Sequence, residues 1–455
     1  MCHSFHVPKV FATATCFLLL IPWCGGQSQS GDRSGIDASL QKQIDAMVAI
    51  DNHAHPVLPP PNDKTDREYD ALPVDHLEPE TDPVGWRADN PQLEDAWSHL
   101  WGFHATVPLD ASGQARLNAA RERVRAREGE HYATWLLDQT HIGAMLANRV
   151  AMGAGLERPR FVWVPYLDCL LFPLDNSKLA SRTPDRSAFF PLEDKLRARY
   201  LSESGLSALP ATLPDYLRQV VAATLERQKA GGAVAVKFEV GYLRSFAFGD
   251  PSEEDAARVY AAAISSHGSP RDEDYKTLQD FLFRYIAAEC GRLGLPVLLH
   301  GMAGGGSYYN VAGSNPLLLE PLFDDRRLRQ TRFVILHGGW PFVHEIGALL
   351  QKPNVYLDIS QQALIIPPRT LATWLREWLE LYPDKVLFGT DGYPFSEYLG
   401  WEESLWIANR NAREALAYAL TGMMEDGEID RTRATHIARE VLSGNAAALY
   451  RLPQP

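Results

Sequence analysis

Cysteine is scarce in this 455-residue chain: there are five, and Cys2, Cys16 and Cys24 all fall in the N-terminal segment. The remaining Cys169 and Cys290 can form at most one bridge, which excludes a disulfide-framed fold. Cys290 lies in the helical pattern AAECGRLG and reads as a small buried apolar residue. An excess of positive charge is missing too. Lys and Arg total 44 against 57 Asp and Glu, a formal net charge of −13, which argues against a nucleic-acid groove or an anionic membrane surface as partner. Past residue 23 no apolar stretch approaches the roughly 20 residues of a membrane span. There is no internal repeat and no low-complexity segment.

One short apolar run does occur, at residues 10–23 (VFATATCFLLLIPW), followed by the small residues CGG and the polar QSQSGDRSG. That is the layout of a secretory signal over residues 1–27, leaving 28–455 as a mature, exported barrel domain, periplasmic or secreted. Acylation of Cys24 as a lipoprotein is the weaker alternative, because Trp23 stands where a small residue is expected. With 45% hydrophobic and 22% charged residues, the rest of the chain can bury a large core.

What the chain does have is a series of apolar runs, each ending on a polar residue. MVAIDNHAH, AVAVKFE, LPVLLHG, RFVILHGG and KVLFGTDG carry His53 and His55, Lys237, His300, His337 and Asp391. Unbroken apolar runs alternating with helical patterns argue for parallel βα units. Eight runs are expected as strands, at 47–53, 142–150, 160–166, 233–240, 297–300, 333–337, 355–359 and 386–390. Eight fits a closed (β/α)8 TIM-type barrel better than an open sheet. Two long insertions follow strands one and three. The first begins as the Pro-rich, acidic PVLPPPNDKTDREYDALPVDHLEPETDP, too broken for regular structure; the second spans 168–214. Helical patterns are expected near 92–101, 114–137, 216–229 and 272–293.

Barrel enzymes place their chemistry at the C-terminal ends of the strands, where these polar residues stand. His53 and His55 are two apart on a strand, so both imidazoles face one side and can chelate one metal. Asp51 shares that parity, deeper in the barrel. His300 and His337 share a local pattern, an apolar run before and a glycine after. Asp391 holds the corresponding place on the last strand, where a carboxylate can bind metal with one oxygen and accept a proton with the other. His and Asp are the ligands that borderline-soft divalent cations prefer. An ammonium at Lys237 is costly in a buried barrel unless paired. Three readings stand for it: an ion pair with Glu239, a carbamate bridging two metals, or an anchor for a substrate carboxylate.

Taken together, DNHAH, VKFEVGYLRS, LLHG, SNPLLLEPLF, LHGGWPFVHEIGALLQKPNVYLDIS and KVLFGTDGYP resemble the amidohydrolase superfamily. The similarity is to its amidohydrolase-related branch, which includes decarboxylases and nodulin- and FluG-type domains. The resemblance runs from about residue 46 to the end. It implies that His53 and His55 bind a first divalent metal, with Zn as the expected ion, Mn as the alternative, and one or two ions per site. Asp391 would complete that site and act as general base, and His300 would be a further ligand. His337 would hold a second metal or polarise the substrate, and Lys237 matches the family's strand-four position. Arg244 stands one residue further from Tyr242 than the branch pattern has it. Tyr242 and Arg244 are candidates to bind substrate, with Trp340 and Tyr393 as candidate pocket walls.

The implied chemistry is metal-assisted hydrolysis of an amide, lactone or ester in a small molecule. Non-oxidative decarboxylation and metallo-dipeptidase activity would use the same residues, and a degenerate barrel that binds ligand without turnover is the non-enzymatic alternative. No nucleic acid is expected as partner; a homodimer is compatible.

Overall fold

The computed structural model describes residues 34–454, apart from 61, 63–65, 75–76, 78–80, 267–268 and 303. The expected signal at 1–27 lies outside the described residues. Eight parallel strands occur in chain order: β1 Ala49–Ala54, β2 Ile142–Asn148, β3 Phe161–Val164, β4 Val236–Phe238, β5 Val297–Leu299, β6 Phe333–Ile335, β7 Val355–Asp358 and β8 Val386–Leu387. Each overlaps its expected run. His53 and Lys237 lie within β1 and β4, while the ladders of β5, β6 and β8 end one, two and four residues before His300, His337 and Asp391, which stand where the chain turns into the loops.

β1–β2–β3 form one ladder and β4 through β8 another. Backbone hydrogen bonds join them at both seams. The Lys237 N–H donates to Pro165 O (2.8 Å) and Leu167 N–H to Lys237 O (3.0 Å), while Asn52 N–H donates to Phe388 O (2.9 Å) and Asp391 N–H to His53 O (2.8 Å). The sheet therefore closes on itself as a (β/α)8 barrel, with no free edge.

Apolar residues on both faces of the strands explain the unbroken runs in the sequence. Leu298 and Val334 share a ladder row with Lys237. They belong to a cluster with Ile50, Leu146, Val162 and Leu387, plus Ala446, Ala447 and Tyr450 of the last helix, Asn445–Tyr450. That helix plugs the barrel at the end opposite to the His residues.

Between β1 and β2 the chain makes helices Gln92–Trp101, Ala111–Glu128 and Tyr132–Gln139. The pattern expected as one helix over 114–137 is two, separated at Gly129. Between β3 and β4 lies a 20-residue helix, Pro184–Glu203, inside the second insertion. Its internal Pro191 hides it from pattern reading. The helix Asp272–Leu293 begins with Asp272, Glu273 and Asp274 and ends on the left-handed Gly294, as acidic first turns and glycine caps do. Cys169 and Cys290 are separate, buried, free thiols. No helix among the described residues is long and apolar enough to cross a membrane.

Candidate active site at the barrel mouth

His53 stands at the end of β1 and His55 just beyond it, both buried. His53 Nε2 lies 3.3 Å from His55 Nε2 and 3.2 Å from Asp391 Oδ1, and His55 Nε2 lies 3.3 Å from the same oxygen. Three donor atoms thus form a nearly equilateral triangle. His337 faces it, and the ligand atoms of His53, His337 and Asp391 all lie within 4.8 Å of one another. His337 Nε2 is 3.2 Å from His300 Nδ1, while His300 Nε2 has no hydrogen-bond partner among the described residues.

Tautomers follow from the other ring nitrogens. His55 Nδ1 is 3.0 Å from the Tyr69 carbonyl, an obligate acceptor, so the proton sits on Nδ1 and Nε2 presents a lone pair. His337 Nδ1 likewise meets Ser360 O at 3.2 Å and Ser360 Oγ at 2.8 Å, which leaves its Nε2 bare. Burial pushes the His337 imidazole down to about 3. Burial also holds His53 and His300 well below the ordinary range, helped by Lys237 beside His53 and by His337 beside His300. His53, His300 and His337 are therefore neutral at pH 7, as ligands must be.

This arrangement fits a metal. The lone pairs of His55 and His337 crowd beside a carboxylate oxygen, which costs energy unless a proton or a cation lies among them. A tetrahedral ion with bonds of about 2.0–2.1 Å has ligand atoms about 3.3 Å apart, the spacing of the His53, His55 and Asp391 triangle.

The backbone holds these groups under constraint. His337, Gln361 and Asp391 are non-glycine residues with φ of 60°, 56° and 56°, all just past the ends of β6, β7 and β8. Left-handed backbone at non-glycine residues is uncommon and clusters at functional sites. Asp358 stabilises one of them, accepting from the His337 N–H at 2.8 Å and from Ser360 Oγ at 2.7 Å. Asp51 ties β1 to β8, accepting from the Thr390 N–H at 3.0 Å, one residue before Asp391. Gly338 shares this backbone, with φ of 55°, and a Cβ there would meet the amide end of the buried Gln362 side chain at 2.7 Å, which favours glycine.

Lys237 is buried with Nζ 3.3 Å from His53 Nε2 and 4.0 Å from Glu239 Oε1. Tyr242 and Tyr393 line the cavity with it, Tyr393 packing edge-on to His55. Arg244 does not join them. Its guanidinium pairs with Asp280 (2.6 Å) and Gln279 (3.0 Å), stacks on Phe248, and faces a different cleft. The sequence places it among the substrate-binding candidates; here a neighbouring carboxylate on the helix Asp272–Leu293 captures its charge, and it does not line the cavity. Trp340 packs against the apolar core and is not among the lining residues either.

Sequence reasoning missed Asp70, Trp86, Gln361 and Phe395, which complete the lining. Asp70, Trp86 and Phe395 sit in loops without periodicity, where no pattern marks a side chain as inward. Glu239 also lines the cavity. Burial first, then the Asp70 charge, pushes its carboxyl well above the usual range.

The cavity itself is small, about 30 Å³. A larger cleft of about 710 Å³ lies outside it, near Arg121, Arg125 and Glu402. Its charges are satisfied by one another, Arg121 with Glu403 at 2.6 Å and Arg125 with Glu402 at 2.9 Å, so the chemistry belongs to the smaller space.

Residues 191–452 match the family model described as Amidohydrolase. The chain belongs to the amidohydrolase family. Over 212 residues, 45% of this amidohydrolase, it is 32% identical to protein fluG of Emericella nidulans, but the match spans only 23% of that longer protein. Among solved structures, it shares the fold of a protein from Lactobacillus casei ATCC 334 provisionally described as a metal-dependent hydrolase. That likeness has a TM-score of 0.62 and 17% identity, covering 92% of this chain and 98% of the other. The glucuronate isomerase of Caulobacter crescentus is similar at TM-score 0.60 and 15% identity, over 93% and 97% of the two chains. These neighbours establish the barrel, and the family implies a divalent metal.

Proposed function

We propose that this amidohydrolase hydrolyses an amide, lactone or ester bond of a small molecule at a divalent metal site, with zinc the expected ion. The observation that carries the reading is the triangle of His53 Nε2, His55 Nε2 and Asp391 Oδ1, with edges of 3.2–3.3 Å. His53, His55 and Asp391 would hold the ion, with His300 and His337 completing the site or holding a second ion. When bound, a divalent cation there supplies Lewis acidity, acidifying a water and polarising a carbonyl.

The chain's own residues do the rest. Asp391 accepts the proton of the attacking water and returns it to the departing nitrogen or oxygen. Its left-handed backbone, anchored by the hydrogen bond to His53 O, aims the carboxylate at the imidazoles. His337, held at Nδ1 by Ser360, directs its bare Nε2 at the ion. Lys237 balances the local carboxylates. A space of about 30 Å³ admits a water but no substrate, so the lining must yield for a substrate to enter.

Metal analysis of the purified chain, with turnover on a panel of amides, lactones and esters and a check for released CO₂, tests the reading. Bound metal and a hydrolysed product support it. CO₂ release would instead mean decarboxylation, and metal uptake without turnover of any panel member would mean a degenerate binding barrel. We also infer export through residues 1–27; N-terminal sequencing of the extracytoplasmic protein should begin near residue 28.

A further inference from the structure

We propose that Asp70 and Glu239 form a cation subsite that holds an ammonium group of the substrate beside the reacting bond; this rests on the hydrolase reading above. Asp70 comes from the first insertion and Glu239 follows β4 directly, yet both line the cavity shared by His53, His55 and Asp391. They are nearly inaccessible, at 5% and 3% exposure, and Asp70 Oδ2 lies 3.8 Å from His55 Nδ1, on the rim of the imidazole cluster. Two buried carboxyls lining one small cavity are costly unless they share a proton or hold a cation.

The partners at hand do not resolve this. Among the described residues, no donor reaches Glu239 Oε2. Lys237 is 4.0 Å from Glu239 Oε1 but 3.3 Å from His53, so its ammonium is shared with the imidazole. Arg244 is held by Asp280 and offers nothing to the cavity.

The remaining walls suit the same ligand. Trp86 and Phe395 stack with ring centroids 4.7 Å apart, and with Tyr393 they give the cavity aromatic faces. Aromatic faces attract cations and do nothing for a carboxylate. A carboxylate-bearing substrate would meet Asp70 and Glu239 as like charges. An alkylammonium supplies the donors that Glu239 lacks and lies against the rings.

The test uses the full chain reconstituted with zinc, its metal content measured, and calorimetric titration with n-butylammonium, 1-butanol and butyrate. The proposal expects binding of n-butylammonium alone. It expects about tenfold or greater weakening in Glu239→Gln and again in Asp70→Asn, with zinc content unchanged and folded circular dichroism. Equal binding of the three probes by the zinc-loaded protein would overturn the subsite and leave the hydrolase reading intact. A second zinc ion that disappears in Glu239→Gln would also overturn it, by assigning the carboxylates to metal. A chain that takes up no zinc at all would remove the hydrolase reading, and this subsite with it.

Discussion

Asp391 is the residue on which the proposed chemistry turns, because one of its oxygens completes the imidazole triangle while its neighbour is free to move a proton. Asp391→Asn keeps the size and removes the basicity, so turnover should fall about 10²- to 10⁴-fold with little change in thermal stability. A kcat within a few-fold of wild type would assign the proton transfer elsewhere. Arg244 gives the opposite prediction. Its guanidinium serves Asp280 and Gln279, so Arg244→Ala should cost about 2 kcal/mol in urea unfolding and leave KM unchanged. A large rise in KM at undiminished stability would restore it to the substrate. The contrast shows where sequence carries information about single residues. His53, His55, His300, His337 and Asp391 were legible because each ends an apolar run, and the run fixes where the side chain emerges. Arg244 stands in a loop, where the nearest carboxylate decides its direction, and that carboxylate is 36 residues away in the chain.

Elements were legible to the extent that their pattern was simple. The eight strands stand out as unbroken apolar runs because the barrel buries both faces. The helix Pro184–Glu203 did not, since Pro191 interrupts its pattern and its apolar stripe is weak. The loop residues Asp70, Trp86 and Phe395 reach the site through tertiary packing alone. At the closing seam of the barrel, Asp37 caps the helix Ala38–Ala46 and pairs with Arg431 of the helix Arg431–Arg439. The Arg431 hydrogen bond first, then the Leu40 N–H, holds the Asp37 carboxyl down at about 2. Because the folded value lies below the unfolded one of about 3.9, this stabilisation is present above about pH 4 and lost as pH falls towards 2. Asp37→Asn should therefore narrow the stability difference between about pH 5 and about pH 2.5 in urea titrations. Parallel pH profiles for the two proteins would show that the pair contributes nothing.

The whole molecule places four histidines, a lysine and an aspartate, spread over 339 residues of chain, around a space of about 30 Å³. Barrel closure makes this possible: His53 on the first strand and Asp391 past the last are neighbours because β8 bonds to β1. The apolar plug around Tyr450 keeps the opposite end shut, so the strand ends at the mouth are where buried polar groups can be used. Metal uptake by the intact chain and by its His53→Ala variant, read by elemental analysis after exhaustive chelation and reloading with zinc, tests the central claim most directly. The account predicts at least one tightly held zinc ion per chain, restored along with hydrolytic activity on reloading and lost in His53→Ala while the barrel stays folded. A chain that binds no zinc, or an unaltered zinc content in His53→Ala, would contradict it.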